Sequence, residues 1–144
     1  MRLPLALTLA LATLPAAAQQ MIDVPTAKSV PEAADALVAA VVGAGATVVA
    51  RVDHQANAAG AGMELGPMTK VIFGNPAIGT PILQADPRAG LLLPQMVLIW
   101  EDEAGQVRLS YLDPDAAFAD LGVPGEALGP VKGALDKLTA AAAE

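Results

Sequence analysis

Three linked segments decide the fold: Thr47-Val-Val-Ala-Arg-Val-Asp-His54, Lys70-Val-Ile-Phe-Gly-Asn-Pro-Ala-Ile-Gly-Thr-Pro81 and Met96-Val-Leu-Ile-Trp-Glu-Asp102. The first is rich in β-branched residues and reads as a strand, with Asp53 placed to cap a short helix through Ala59. Gly60 and Gly62 weaken that helix. The second is a strand to Phe73, broken by Gly74-Asn-Pro. Because proline inside a continuous helix removes a hydrogen bond and clashes with a carbonyl, the helix is expected to start at Thr80, with Pro81 in its first turn. The third is an unbroken apolar run, expected to form a central strand buried on both faces.

Outward from this stretch the signals are local and clear. Ser29 and Glu32 have capping-box spacing ahead of apolar positions Val30, Ala33, Ala34, Leu37, Val38, Val41 and Val42, which recur at helical spacing. Met21 to Val24 reads as a short edge strand limited by Pro25. Glu101 to Gly105 is a hairpin turn with Gly105 at positive φ, and Gln106 to Leu112 alternates as a strand with one wet face. Pro130 is expected to open a terminal helix, after a loop from Gly122 to Gly129. The fold class is α+β: a small curved, largely antiparallel sheet with helices packed on one face.

The N-terminus carries an address. Met1-Arg2, an apolar run from Leu3 to Leu14 and Ala16-Ala17-Ala18 describe a secretory signal peptide over residues 1–18, and hence an exported protein, periplasmic or secreted. A mature N-terminal segment, 19–29, and a single α+β domain, 30–144, follow. Removing 18 of 144 residues leaves 126, enough to bury a core without staples. With Arg2 gone, 7 basic face 15 acidic side chains, a net charge of −8. That charge and 3% aromatics exclude the positive field and stacking platforms that nucleic acid needs. An acidic body is also repelled by anionic lipid, so no membrane binding is expected after cleavage. The absence of cysteine removes thiol nucleophiles, thiolate metal sites and covalent haem attachment.

The segments Val49-Ala-Arg-Val-Asp-His54, Met63-Glu-Leu65, Val71-Ile-Phe-Gly-Asn-Pro76 with Gly79-Thr-Pro81, Leu98-Ile-Trp-Glu-Asp102 and Ser110-Tyr111 come in an order and spacing that resemble the family known as domain of unknown function 302 (DUF302). The resemblance runs from about Val30 to Leu121. It implies a compact α+β domain with helices over a curved sheet, and self-association such as a homodimer; it implies no established activity. Val52, where the family often has isoleucine, and the glycines at 60 and 62 are small departures.

The chain has a single histidine, His54, at a strand end, where an imidazole can act as base, proton shuttle or metal ligand. Adjacent strand residues point to opposite faces, so Asp53 and His54 need not touch; the plainer reading is a helix cap beside a histidine bonded to a loop carbonyl. A triad serine is missing from the required tight turn. One histidine without cysteine falls short of a zinc ligand set. It suffices for axial haem ligation, alone or with Met63, Met68 or Met96. The Gly74–Pro81 loop offers backbone N–H groups and a helix start to an anion, with Arg51 or Arg88 nearby in charge, although two prolines remove donors and a rigid turn explains it as well. Glu101-Asp-Glu103 lacks the spacing of a calcium loop. The expected function is therefore that of a non-catalytic module binding a small apolar or amphipathic ligand, or a protein partner, near His54. Asp53, Arg51, Asn75, Thr80 and Trp100 are the other ligand-binding candidates. The alternatives are a haem-binding or redox accessory protein, or small enzyme, using His54, and a purely structural homodimer.

Overall fold

The computed structural model describes residues 21–144; the expected signal peptide lies outside the described residues. Its strands are β1 (Met21–Thr26), β2 (Thr47–Asp53), β3 (Met68–Gly74), β4 (Gln95–Glu101) and β5 (Val107–Leu112). Its helices are α1 (Val30–Gly43), α2 (His54–Gly60), α3 (Pro76–Ala85), α4 (Pro114–Ala117) and α5 (Gly125–Ala143), with a 3-10 turn at Pro87–Leu91. The five strands form one antiparallel sheet in the order β1-β5-β4-β3-β2. Within the expected N-terminal segment, Met21–Thr26 forms an edge strand, and Pro25 is tolerated there because an edge has one side free of ladder bonds.

Alternation sets the layers. Val71 and Phe73, Val97 and Ile99, and Val107 and Leu109 are buried on one face, where α1 and α5 cover the sheet. Val30, Ala33, Ala34, Leu37 and Val41 bring α1 down on it, and Leu128, Val131, Leu135 and Leu138 bring α5. Each fully buried leucine contributes about 1.5–3 kcal/mol of transfer free energy. The Glu32 carboxylate fixes the start of α1 by accepting from the Ser29 N–H (2.9 Å) and hydroxyl (2.7 Å), which lowers its pKa. Gly105, at φ 79°, turns β4 into β5.

Three expectations are corrected. β4 is the central strand, but only Val97 and Ile99 are sealed; Met96 is 36% exposed and Leu98 and Trp100 are half-buried, because helices cover one face only. α3 begins at Pro76 with Asn75 as its cap, not at Thr80, and Pro81 lies inside it. Pro81 has no N–H for the Ala77 carbonyl, at a cost of about 3 kcal/mol. The Asn75 cap, Pro76 at the helix start and the complete burial of Ile82 offset it. Likewise α5 starts at Gly125 and carries Pro130 within, because Leu128, ahead of the proline, is already drawn into the core.

Candidate functional site

An apolar cleft lies at the β3–α3 junction. It has a volume of about 530 Å³ and opens between α3, α5, the start of β2 and the start of β4. Phe73, Val131, Leu135 and Leu138, all buried in the fold, form its floor. Ile78 and Leu83 of α3 and Leu93-Pro94 before β4 form walls, and Val49 stands at the rim, 60% exposed. Gly74 and Gly79 face the 93–94 segment: a Cβ on Gly74 would stand 3.4 Å from the Pro94 Cβ and one on Gly79 3.9 Å from the Leu93 Cδ1, both ordinary contact distances. Val49 reaches the rim because β2 carries a bulge between Val48 and Ala50, which re-aims an edge residue.

The polar groups on the wall are few. Asn75 Oδ1 accepts from Ala77 N (3.0 Å), while the Asn75 carbonyl accepts from Ile78 N and Gly79 N, both at 2.9 Å. The first donors of α3 are therefore spent on Asn75, and the loop has no free nest of N–H groups. Thr80 lies exposed on the wall, in mid-helix. Gln95, also on the wall, has its side-chain nitrogen buried with no hydrogen-bond partner. Lys137 of α5 is exposed at the mouth.

Of the residues singled out in the sequence, the cleft gathers Asn75 and Thr80. The other four stand elsewhere. Asp53 caps α2, accepting from Ala56 N at 2.8 Å. His54 is the half-buried first residue of α2 and is not on the cleft wall. Arg51 is ion-paired with Asp35 of α1. Trp100 donates its indole N–H to Ser110 Oγ (2.8 Å), and Ser110 in turn donates to Asp23, linking β4, β5 and β1 on the face that α1 and α5 leave uncovered. Among the described residues no group of three or more carboxylates and histidines is placed to hold a metal ion. In the acidic turn, Asp102 accepts from Ala104 N, Gln106 N and Arg108 Nε at 2.9–3.0 Å, which depresses its pKa through the Gln106 N–H first and Arg108 next.

Sequence reasoning missed Gln95, Lys137 and the α5 floor. Gln95 could have been found: it is a lone amide between Pro94 and the apolar run of a central strand. The α5 residues could not, since they read as an ordinary buried helical stripe.

The fold and cleft define a class: a small α+β domain with one helix-covered sheet face and an apolar cleft at the strand ends. Within that class the chain belongs to the family Domain of unknown function DUF302, which matches residues 22–144. A crystal structure of an uncharacterized conserved DUF302 protein from Bacillus stearothermophilus shares the fold, with a TM-score of 0.78 at 16% identity, covering 87% of this chain and 99% of that one. The chain is also similar to two fluoride-specific ion channels named FluC 1. That of Brucella suis biovar 1 (strain 1330) is 40% identical over 94 residues, 65% of this chain and 37% of that protein. That of Brucella abortus biovar 1 (strain 9-941) is 40% identical over 94 residues, 65% of this chain and 35% of that protein. The chain thus spans little more than a third of these relatives. No helix among the described residues is long and apolar enough to cross a membrane.

Proposed function

We propose that this domain is a non-catalytic binding module whose ligand is a small, largely apolar molecule seated in the cleft between α3 and α5. The observation that carries the reading is the cleft itself. Its volume of about 530 Å³ falls in the range of small-molecule sites, and a few polar groups punctuate an apolar lining, as in such sites generally. The reading moves the site from His54 to the space beside Asn75 and Thr80. It also assigns no reaction, because no base and nucleophile converge on the cleft wall.

Fluoride, for which the FluC relatives are named, is not the ligand in this proposal. A compact, strongly hydrated ion would lose water in a largely apolar cleft whose few polar side chains replace little of that hydration. Export, supported by the pattern of residues 1–18, would place the module outside the cytoplasm. Self-association has a candidate surface in the uncovered sheet face, where Met96, Leu98 and Ile72 remain accessible.

The test uses the neutral dye N-phenyl-1-naphthylamine, whose fluorescence rises in apolar sites. The protein should bind it saturably, and Ala134→Trp, which fills the cleft from α5, should abolish binding. Ile78→Trp does the same from α3 and serves if the first variant fails to fold. Undiminished dye binding by a folded variant of each kind refutes the cleft as the site.

A further inference from the structure

Several of the cleft's polar side chains can offer protons, and none is a carboxylate. Gln95 Nε2 is a buried donor without a partner, and Lys137, an exposed lining residue, stands outside the four ion pairs among the described residues. Asn75 has its Oδ1 engaged in the α3 cap, which leaves its Nδ2 as the group to offer. No aspartate or glutamate lines the cleft, although acidic side chains outnumber basic ones by 15 to 8 in the chain. A hydrophobic cleft in an acidic protein that is lined by a lysine and by a glutamine with an unpaired buried N–H, and by no carboxylate, is electrostatically complementary to a negative acceptor. An unpaired buried donor is also unfavourable until something accepts from it.

Resting on the cleft reading above, we propose that the ligand is an amphipathic carboxylate, with an apolar body on the Phe73–Leu135 floor and its anionic head held by Lys137 and Gln95. The head needs both residues. Lys137 is solvated and screened, so alone it contributes a weak, salt-dependent attraction. Gln95 supplies a directional bond that is charge-assisted with a carboxylate, weaker with an alcohol oxygen and absent with a quaternary ammonium, which has no acceptor.

The experiment is displacement of N-phenyl-1-naphthylamine by decanoate, 1-decanol and decyltrimethylammonium on the purified protein. Decanoate should displace the dye at about tenfold lower concentration than decanol, the scale of one charge-assisted hydrogen bond. Lys137→Met and Gln95→Leu should each erode that preference severalfold, weakening decanoate more than decanol, and added salt should erode the Lys137 share. Equal competition by the three amphiphiles overturns the headgroup assignment but leaves the apolar cleft standing. Failure of the dye and all three amphiphiles to bind overturns both. A dimer that decanoate does not dissociate, seen by sedimentation together with loss of all displacement, assigns the cleft to a second copy and overturns the proposal as well.

Discussion

Gln95 stands directly across from Phe73 in the β3–β4 ladder, so an amide and an aromatic ring occupy one rung on the cleft side of the sheet. The ring is buried and belongs to the core. The amide nitrogen is buried and belongs to nothing. Strand pairing has put an unpartnered donor beside the cleft floor.

Gln95→Leu should therefore stabilise the ligand-free protein. A buried donor left unpaired costs about 1–3 kcal/mol, and leucine removes it at similar volume. The urea midpoint should rise without a change in slope. A lower midpoint would show that the amide is satisfied by solvent.

Tyr111 donates to Asp136 at 2.7 Å, joining β5 to α5. Burial, and then that bond, push its pKa up to about 12. The folded value exceeds the unfolded one, so the contribution is complete below about pH 10 and is lost as pH rises through 12. Tyr111→Phe should cost about 1 kcal/mol at neutral pH. Chemical denaturation between pH 9 and 12 should show the parent losing its advantage over the variant within that window.

Asp86 is buried and accepts from Arg88 Nη2 (2.6 Å), Arg88 N (2.9 Å) and Gly122 N (3.0 Å), tying the 3-10 turn to the loop before α5. The Arg88 side chain above all, then the Gly122 and Arg88 N–H groups, hold its carboxyl well below the usual range. Its contribution is thus present above the unfolded carboxylate pKa, about 3.9, and fades as pH falls below that. Asp86→Asn should lower the thermal midpoint at pH 7, and the gap from the parent should narrow on titration from pH 5 toward 2. A constant gap would deny the charge any part.

His54→Ala should leave dye affinity within about twofold and stability within about 1 kcal/mol, as for a half-buried residue outside the cleft lining. Fluorescence titration and urea melts on the same preparation decide it. Loss of dye binding would return the site to α2.

Leu37 of α1 is completely buried against the sheet and away from the cleft. Leu37→Ala should cost about 2–5 kcal/mol, read as a fall in the urea midpoint. A smaller loss would mean that α1 settles into the vacated space.

The sequence by itself determined whatever local physics controls. The Ser29–Glu32 box, the Asp53 cap and the Gly105 turn are written in spans of a few residues and sit where their chemistry requires. The helical stripe of α1 followed from period alone, but the expected wet face of Gln106 to Leu112 is not wet: Ser110 is 3% exposed, held between Trp100 and Asp23. Only the tertiary structure decided that β2 is an edge strand, that Arg51 is engaged by Asp35 and that Trp100 is tied to Ser110. It also decided where α3 and α5 begin, since burial of Ile82 and Leu128 outweighs the local penalty of Pro81 and Pro130. The cleft is the plainest case. Asn75 and Thr80 were visible because they flank a loop with its own signals. Gln95 and Lys137 become part of a site only when the strand order and the packing of α5 bring distant surfaces together, and no pattern of neighbours along the chain encodes that contact.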